Sequence, residues 1–366
     1  MRRILILANF DVGLYKFRKE LIQKLLKQGN EVYISLPDGE LVKNLKKMGC
    51  RFVDTYVDRR GINPKTDLKL LLFYKKLIKK LKPDIVITYT IKPNIYGGMI
   101  CRFFRIPYAV NITGLGTAFQ KDGAVKKLVV NLYRIALKKA KVVFFENAGN
   151  KQELLKYNIV KEEQTCILNG AGVNLEEYPF CEYPEEGETR FLFIGRVMKE
   201  KGVDELFEAA ERIKSKYENV YFNIVGPMED DYKKKVDRLV ERGIIEYHGY
   251  QQDVKPFIER CHCFVLPSYH EGMANTLLEA AAMGRPLITS RIHGCMETVE
   301  EYKNGFLVEV GNSEQLYESL ERFHSYNYIK KIEMGQVSRK RVENNFDKRA
   351  VVSLTLKKLE NIGAGR

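Results

Sequence analysis

The stretch that decides the fold is FVLPSYHEGMANTLLE, from Phe264 to Glu279. It opens with an apolar run typical of a short buried strand, turns at Pro267, continues as a loop that carries Glu271, and predicts a helix from about Asn275. A strand, a glycine-containing turn and a helix N-terminus bring unpaired backbone N–H groups to one place, where the helix dipole also favours negative charge. The stretch therefore predicts an anion-binding site with a carboxylate on either side.

The two carboxylates give this stretch its chemistry. Glu271 lies in the loop and Glu279 about one turn into the helix, so one can face a reacting group while the other reaches a ribose hydroxyl. A structural interpretation fits the same pattern, with Glu279 on a solvated helix face and Glu271 interacting only with the helix dipole. The local pattern leaves both interpretations open.

A wider resemblance favours the functional interpretation. The segment EGMANTLLEAAAMGRPLITS, which begins at Glu271, resembles the E-x7-E signature of retaining glycosyltransferases in its family 4 form. Upstream, FLFIGRVMKEKGVDELFEAA resembles the family's Gly-Arg to Lys-Gly element, with four residues in the corresponding places: Gly195, Arg196, Lys201 and Gly202. The resemblance implies a GT-B fold, which is an α/β architecture of two Rossmann-like β/α/β domains facing a central cleft.

Length and patterning agree with two domains. A chain of 366 residues with 45% hydrophobic composition exceeds what one core usually serves. Apolar strands alternate with amphipathic helices in both halves, which predicts βαβ units and parallel sheets. We expect an N-terminal acceptor-binding domain over 1–180 and a C-terminal nucleotide-sugar-binding domain over 181–345, with a polar linker near 180–188. By resemblance, a C-terminal helix in 346–366 crosses back to the first domain.

Three local features are also predicted. Apolar strands are expected at 3–9 and 31–37, with a turn over 11–15 and a helix over 16–29 between them. The C-terminal tail is amphipathic from about 337 to 362. Acidic residues from Glu229 to Asp231 fit the start of a helix better than a metal site.

Positive charge is concentrated in the first half of the chain. The formal net charge is +14; residues 1–180 hold 33 Lys and Arg against 16 Asp and Glu, giving +17, and the remainder holds 28 against 31, giving −3. A basic first domain suggests an anionic partner, such as a membrane leaflet, a lipid pyrophosphate or nucleic acid, although a solvated basic surface is the alternative. The helical segments 65–82 and 124–140 mix apolar residues with lysines, as helices lying on membrane surfaces do and as ordinary sheet-covering helices also do.

Compartment is inferred from cysteines and apolar runs. The seven cysteines are scattered and odd in number, which favours a reducing compartment. No apolar run approaches the roughly 20 residues of a spanning helix. We expect a cytoplasmic protein, peripheral on the inner face of the cell membrane.

The family resemblance assigns the donor side of the site. It implies catalytic roles for Glu271, Arg196 and Lys201, where the two cations neutralise the charge of a leaving diphosphate. It implies further donor-binding residues: Gly195, Gly226, Gly249, Tyr250, Val254, Gly272, Met273, Ala274, Asn275, Leu278 and Glu279. Residues 249–254 would contact a uracil edge. The chain has no D-x-D motif, so no metal and no cofactor are expected beyond the UDP-sugar substrate.

The mechanism that the resemblance implies is front-face transfer with retention. The nucleotide diphosphate leaves, an oxocarbenium-like species forms, and the acceptor hydroxyl attacks the same face. No dedicated base is evident in the sequence. The leaving phosphate is then the proton acceptor, and Glu271 supports the sugar or its positive charge.

The first domain resembles a bacterial subgroup that extends polyprenyl-diphosphate-linked saccharides, including capsular and O-antigen polysaccharide transferases. Three segments carry this resemblance: LYKFRKEL, TYTIKPNIYGG and NITGLGTAF. Candidate acceptor-binding residues lie at the strand ends: Gly13, Arg18, Lys92, Asn94, Thr113 and Gly114. Many relatives have a Gly-Gly pair and a histidine where this chain has 11–13 and 113–114. The transferred sugar is expected to be an N-acetylhexosamine or a hexose.

Two other classes of function compete with the transferase. Another two-domain sugar-nucleotide enzyme is possible, such as an epimerase or a dehydrogenase, but a dehydrogenase needs G-x-G-x-x-G after a strand and the segment 113–119 has only G-x-G. A non-catalytic basic module for membranes or nucleic acid is the other alternative, and we find no compact nucleic-acid recognition motif. Neither class explains Arg196, Lys201, Glu271 and Glu279 together.

Overall fold

The computed structural model describes residues 1–58, 61, 63–116, 119 and 123–363. Its contacts divide the chain into two compact units. The first comprises Met1–Ala171 with the C-terminal segment from Arg349, and the second comprises Gly172–Lys348. Each unit is built on one fully parallel sheet with helices on its faces, as the alternation of strands and helices predicts.

The first unit contains a seven-stranded sheet in the order β3-β2-β1-β4-β5-β6-β7. Its elements are β1 (Arg3–Leu7), α1 (Asp11–Lys27), β2 (Glu31–Leu36), α2 (Val42–Lys47), β3 (Arg51–Asp54), α3 (Pro64–Leu81), β4 (Ile85–Tyr89), a π-helix (Pro93–Gly97), α4 (Gly98–Phe104), β5 (Tyr108–Ile112), α5 (Ala124–Leu137), β6 (Val142–Phe145), α6 (Ala148–Lys156) and β7 (Thr165–Ile167). The patterning did not predict α2, α6 or β7.

The second unit contains a six-stranded sheet in the order β10-β9-β8-β11-β12-β13. Its elements are β8 (Thr189–Ile194), α7 (Val203–Lys216), β9 (Val220–Val225), α8 (Lys233–Glu241), β10 (Glu246–Tyr247), α9 (Lys255–Arg260), β11 (Cys263–Leu266), α10 (Asn275–Ala282), β12 (Leu287–Ser290), β13 (Gly305–Val308), α11 (Ser313–Ser325) and α12 (Tyr328–Asn345). The final helix, α13 (Lys348–Gly363), follows it.

The central strands read as continuous apolar runs because both faces of each sheet are covered. In β1, Leu5 and Leu7 belong to one hydrophobic cluster of the first unit, while Ile4 and Ile6 belong to the other. Successive side chains of a strand point to opposite faces, so one strand supplies both cores.

The start of the first helix differs from its prediction. The expected turn over 11–15 is wrong: α1 begins at Asp11, so Gly13 lies in its first turn. A carboxylate in the first turn interacts favourably with the helix dipole. The Asp11 Oδ2 atom also accepts a hydrogen bond from the Leu41 N–H at 2.8 Å. The interaction with Leu41 is long-range, and the local sequence does not reveal it.

The amphipathic tail over 337–362 is divided between two helices. α12 ends at Asn345, α13 begins at Lys348, and the buried Phe346 lies between them. Val173 accepts the Lys348 N–H at 3.1 Å and donates its own N–H to Phe346 at 2.9 Å. Beyond this break, α13 buries Val351 and Leu359 in a cluster of the first unit.

The boundary between the units precedes the expected linker. The contacts divide the chain after Ala171 rather than near 180. Val173 is buried in the core of the second unit, and Tyr178 and Cys181 pack against that core. Within the part of the chain that the structure describes, no helix is both long enough and apolar enough to cross a membrane.

Candidate functional site

The loops of the candidate site leave the carboxyl edge of the second sheet. Because β8, β9, β11 and β12 are parallel, the segments that follow them meet at one edge, where ligands of such sheets collect. The local prediction for the deciding stretch is confirmed: β11 ends at Leu266, Glu271 lies in the loop, and α10 begins at Asn275 and contains Glu279.

Two of the three predicted catalytic residues touch. Lys201 Nζ donates to Glu271 Oε1, and their side chains are only 20% and 13% exposed. Arg196 pairs instead with Glu229 at 2.9 Å in a more exposed position. The acidic segment after β9 therefore supplies a partner for Arg196 as well as the start of a short 3₁₀ helix. Among the residues that the structure describes, no group of three or more His, Cys, Asp or Glu side chains is arranged to hold a metal ion.

Two glycines fix the loops that carry these charges. Gly202 has φ +68°, and a Cβ there would lie 2.0 Å from the Pro267 carbonyl oxygen. Gly226 has φ +140°, and a Cβ there would lie 1.9 Å from the Gly195 carbonyl oxygen. Only glycine permits such an approach of backbone to backbone. The loop that carries Lys201 is thereby held against the loop that leads to Glu271.

A third support comes from the loop after β12, which the sequence analysis missed. Gly294 accepts the Ala274 N–H at 2.8 Å, and its own N–H donates to Glu297 Oε2 at 2.7 Å. A Cβ on Gly294, whose φ is +92°, would lie 2.9 Å from the Glu271 carbonyl oxygen. A glycine shortly after β12 was the sequence signal for this support, because β12 ends at the same carboxyl edge of the sheet as β11.

Glu279 has a partner that the sequence did not suggest. It accepts a hydrogen bond from the Tyr178 hydroxyl, and burial, followed by the charge of Glu279, raises the pKa of Tyr178. Tyr178 comes from the segment that precedes the expected linker. Glu279 is therefore hydrogen-bonded within its own unit and is not simply a solvated helix residue.

The remaining donor-side residues differ in accessibility. Leu278 is completely buried in the core, and Met273 and Ala274 are nearly so, which leaves their backbone groups as the available chemistry. Tyr250 is exposed, Val254 packs against the core, and Gly249 accepts the Gly226 N–H at 2.7 Å. Gly272 and Asn275 are half-buried.

The N-terminus of α10 retains free polar groups. No side chain caps this eight-residue helix, and the Asn275 Oδ1 atom is buried without a hydrogen-bond partner among the described residues. Uncapped N–H groups can donate hydrogen bonds to an anion. An unpaired amide oxygen can accept a hydrogen bond from a sugar hydroxyl. Both features lie at the end of the loop that carries Glu271.

The first unit holds its two predicted phosphate ligands in ion pairs. Arg18 NH2 lies 2.5 Å from Glu146 Oε1, and both residues are 8% exposed. The Arg18 guanidinium also lies 5.1 Å from the ring centroid of Tyr89. Burial raises the pKa of Glu146, although the charge of Arg18 opposes that shift. Lys92 pairs with Asp67 at 2.7 Å.

Other acceptor-side candidates vary in their surroundings. Asn94 is buried, accepts the Thr88 hydroxyl at 2.7 Å and donates to the Asn111 carbonyl at 2.9 Å, so it ties two strand ends together. Thr113 and Gly114 follow β5 and are half-buried. Residues 117 and 118 of the segment NITGLGTAF lie outside the described residues.

Thr90, at the end of β4, was not singled out by sequence. Its φ is +72°, which is unusual for a β-branched residue, and its hydroxyl is buried without a partner among the described residues. Strain of this kind concentrates at functional sites.

Comparison with known families decides the class. The profile described as glycosyl transferase 4-like matches residues 3–147, and the profile described as glycosyl transferases group 1 matches residues 188–325. The chain belongs to the glycosyltransferase 4 family. The resemblance predicted from the E-x7-E and Gly-Arg segments is thus confirmed.

The relatives of this glycosyltransferase include three bacterial sugar transferases. It is 27% identical, over 87% of its length and 88% of the relative's, to the N,N'-diacetylbacillosaminyl-diphospho-undecaprenol alpha-1,3-N-acetylgalactosaminyltransferase of Campylobacter jejuni. It is 26% identical, over 90% of both chains, to the capsular polysaccharide biosynthesis glycosyltransferase CapM of Staphylococcus aureus. It is 29% identical, over 72% of both, to the Escherichia coli UDP-Gal:alpha-D-GlcNAc-diphosphoundecaprenol alpha-1,3-galactosyltransferase.

Solved structures confirm the fold. A glycosyltransferase from Rickettsia africae superposes with a TM-score of 0.83 at 21% identity, covering 100% of this chain and 99% of that one. Anabaena Alr3699/HepE in complex with UDP-glucose superposes with a TM-score of 0.81 at 16% identity, covering 99% and 100%. The glycosyltransferase therefore has the predicted GT-B architecture of two Rossmann-like domains.

Proposed function

We propose that this glycosyltransferase transfers a sugar from a UDP-sugar to a polyprenyl-diphosphate-linked saccharide, with retention of configuration and without a metal ion. The observation that carries the proposal is the contact between Lys201 and Glu271, which lies in the loop that leads to the uncapped N-terminus of α10. The printed names of relatives support the substrate classes, since two name diphospho-undecaprenol acceptors and one names UDP-Gal.

The donor diphosphate would be held by protein charges alone. Lys201 and Arg196 supply two cations, and the first N–H groups of α10 supply a partial positive charge. Fixed groups of this kind stabilise charge on a leaving group in the way a metal ion does in other enzymes. Glu271 holds Lys201 in place and is proposed to support positive charge on the sugar.

The ribose and base would lie along the neighbouring segments. Glu279 is proposed to accept a ribose hydroxyl, with Tyr178 orienting its carboxylate. Backbone groups from Gly249 to Val254 are proposed to contact the uracil edge, and Gly195, Gly226 and Gly272 allow the nucleotide to approach the backbone closely.

Transfer would proceed on one face of the sugar. The diphosphate departs, the acceptor hydroxyl attacks from the same side, and its proton passes to the departing phosphate. The unpaired amide oxygen of Asn275 is suited to orient a sugar hydroxyl during this step. The sugar is proposed to be an N-acetylhexosamine or a hexose.

The acceptor pyrophosphate is proposed to bind at the carboxyl edge of the first sheet. Arg18 and Lys92 are the cations there, and the acceptor phosphates would compete with Glu146 and Asp67 for them. A phosphate offers more acceptor oxygens than the carboxylate it replaces, which favours the exchange. Gly13, Asn94, Thr113 and Gly114 are proposed to shape the same acceptor site.

A membrane surface is proposed as the place of reaction, on the cytoplasmic inner face. α4 packs between α3 and α5, with Arg102 of α4 donating to the Ile135 carbonyl at 3.1 Å. These three helices expose large apolar side chains among their basic residues: Leu68, Leu72, Phe103, Val125, Leu128 and Ile135. Phe103 is 67% exposed. Exposed apolar side chains next to basic ones on adjacent helices suit an anionic lipid surface. We call this set the apolar face.

The test is a transfer assay with the purified full chain. UDP-linked N-acetylhexosamines and hexoses are offered with polyprenyl-diphosphate saccharides, with and without EDTA, and the product anomer is determined by NMR. We expect an EDTA-insensitive product that keeps the donor's configuration. An inverted product, or activity restored only by a divalent cation, would contradict the proposal.

A further inference from the structure

A cavity opens at the amino edge of the second sheet, the edge opposite to Glu271. Thr189 is the first residue of β8, Asn219 precedes β9 and His262 precedes β11, and all three line the cavity. Its volume is about 210 Å³. The rest of the lining comes from the polar segment before β8 and from the end of α11 and the start of α12, so nothing in it belongs to the donor site.

Lys331 gives the cavity its charge. The residue is 8% exposed, its Nζ donates to the His324 carbonyl oxygen at 3.0 Å, and the ammonium lies 5.4 Å from the Phe323 ring centroid. Among the described residues no carboxylate forms an ion pair with it. An ammonium has three donors, and a buried one is costly unless it is paired. Burial lowers the pKa of Lys331, and the charges of Cys263 and Glu186 only partly oppose that shift.

The histidines of the lining are neutral, polar neighbours. His262 accepts the Arg190 N–H at Nδ1 and donates from Nε2 to the Glu185 carbonyl, so both of its ring nitrogens are used. His324 shares a hydrogen bond of 2.9 Å between Nδ1 and the Thr189 hydroxyl. Burial lowers the pKa of both rings. Lys331 is therefore the cation of this cavity.

We propose that this cavity binds a small organic monocarboxylate, whose oxygens accept the two remaining N–H donors of Lys331. Two acidic side chains, Glu186 and Glu188, also line the cavity. Glu188 is paired with Arg190, whereas Glu186 is exposed. Their negative charge disfavours a dianion, so one negative charge on the ligand fits better than the two of phosphate. The site is distinct from the proposed donor site and does not depend on the proposed transferase chemistry.

The experiment measures the thermal stability of the full chain against acetate, lactate, pyruvate and inorganic phosphate at constant ionic strength. A ligand at free concentration c that binds only the folded chain stabilises it by RT ln(1 + c/Kd), so above Kd the melting temperature rises with the logarithm of the ligand concentration. We expect stabilisation by at least one monocarboxylate that follows this logarithmic dependence, and none by phosphate.

Lys331→Met is the decisive variant, because it keeps the apolar stem and removes the ammonium. We expect its affinity for the same monocarboxylate to fall by about tenfold or more, as the loss of a charge-assisted hydrogen bond implies. The matched control is Lys330→Met, the neighbouring lysine of α12, whose side chain is 43% exposed; this variant should bind as the unaltered chain does.

Glu186→Gln separates this site from non-specific anion binding. Removing the carboxylate should tighten monocarboxylate binding and let phosphate bind as well. The proposal is overturned if no monocarboxylate stabilises the chain, or if Lys331→Met and Lys330→Met respond alike. UDP binding, measured in the same samples, reports independently on the donor site.

Discussion

The contact between Lys201 and Glu271 joins two loops whose residues are 70 positions apart in sequence. Each charge alone resembles a common surface residue, and only their partial burial and mutual contact make them chemically distinctive. A half-buried cation held by a carboxylate is oriented before substrate arrives, which is what stabilisation of a departing diphosphate requires.

Removing either charge of this pair should impair transfer more than folding. For Lys201→Met and for Glu271→Gln we expect kcat to fall by about 10²–10³-fold, the usual cost of losing one preorganised stabilising group. Because the two side chains touch, the double variant should be little worse than the single ones. Steady-state kinetics measures these losses. The control is Lys199→Met, which changes an exposed lysine of the same turn. Equal activity of all the variants would contradict the prediction.

Thr90 carries backbone strain that a substitution can release. A β-branched residue at φ +72° costs on the order of 1–3 kcal/mol, and Asn tolerates this conformation better. We expect Thr90→Asn to raise the unfolding free energy of the first unit by about 1 kcal/mol and to weaken acceptor binding, seen as a higher acceptor KM. Lower stability in denaturant unfolding would show that the strain argument is wrong.

At the level of elements, the strands were the most predictable part. β1, β4 and β8 are continuous apolar runs because both sheet faces are covered, and the sequence shows this directly. The start of α1 and the break before α13 were not predictable, because backbone contacts with Leu41 and Val173 determine them.

The site was predictable only in part for the same reason. The family motif located Glu271, Lys201 and the start of α10. Their supports, Gly294 and Tyr178, come from segments that no local pattern connects to the motif. The resting partner of Arg18, Glu146, is 128 residues away in sequence, so charge pairing in the first unit was beyond sequence reasoning.

The fit between the loops after β8 and β11 makes a separate prediction. Gly202→Ala places a Cβ 2.0 Å from a backbone oxygen, whereas Gly243→Ala has a similar φ of +66° and no atom within 4 Å. Both should lose about 1–2 kcal/mol for the left-handed conformation, and Gly202→Ala should lose about 1–3 kcal/mol more because the loops must separate. Urea unfolding of the two variants measures the difference, and equal losses would contradict the close-packing argument.

For the molecule as a whole, the distribution of charge and apolar surface is uneven. Residues 1–180 carry the whole positive excess, and the apolar face defined by α3, α4 and α5 lies within that part of the chain. Single exposed leucines beside lysines are common on protein surfaces. A group of exposed apolar side chains spread over three adjacent helices is typical of an interaction surface.

Vesicle binding tests the role of the apolar face. Leu72→Gln combined with Leu128→Gln should reduce partitioning to anionic vesicles by at least about tenfold, because two apolar side chains no longer enter the interface. Both leucines are more than half exposed, so stability should change little. Ile329→Gln, equally apolar and exposed but in the second unit, is the control. Binding that is unaffected by the double variant would exclude this face.

The most direct test of the central claim, a UDP-sugar site on the second unit, is nucleotide binding by the intact chain. Thermal shifts are measured with UDP, GDP, ADP and NAD, with and without a chelator, for the unaltered chain and for Lys201→Met. We expect UDP to give the largest shift, independent of the chelator and strongly reduced in Lys201→Met. A shift with NAD alone, or a UDP shift that Lys201→Met leaves unchanged, would contradict the account.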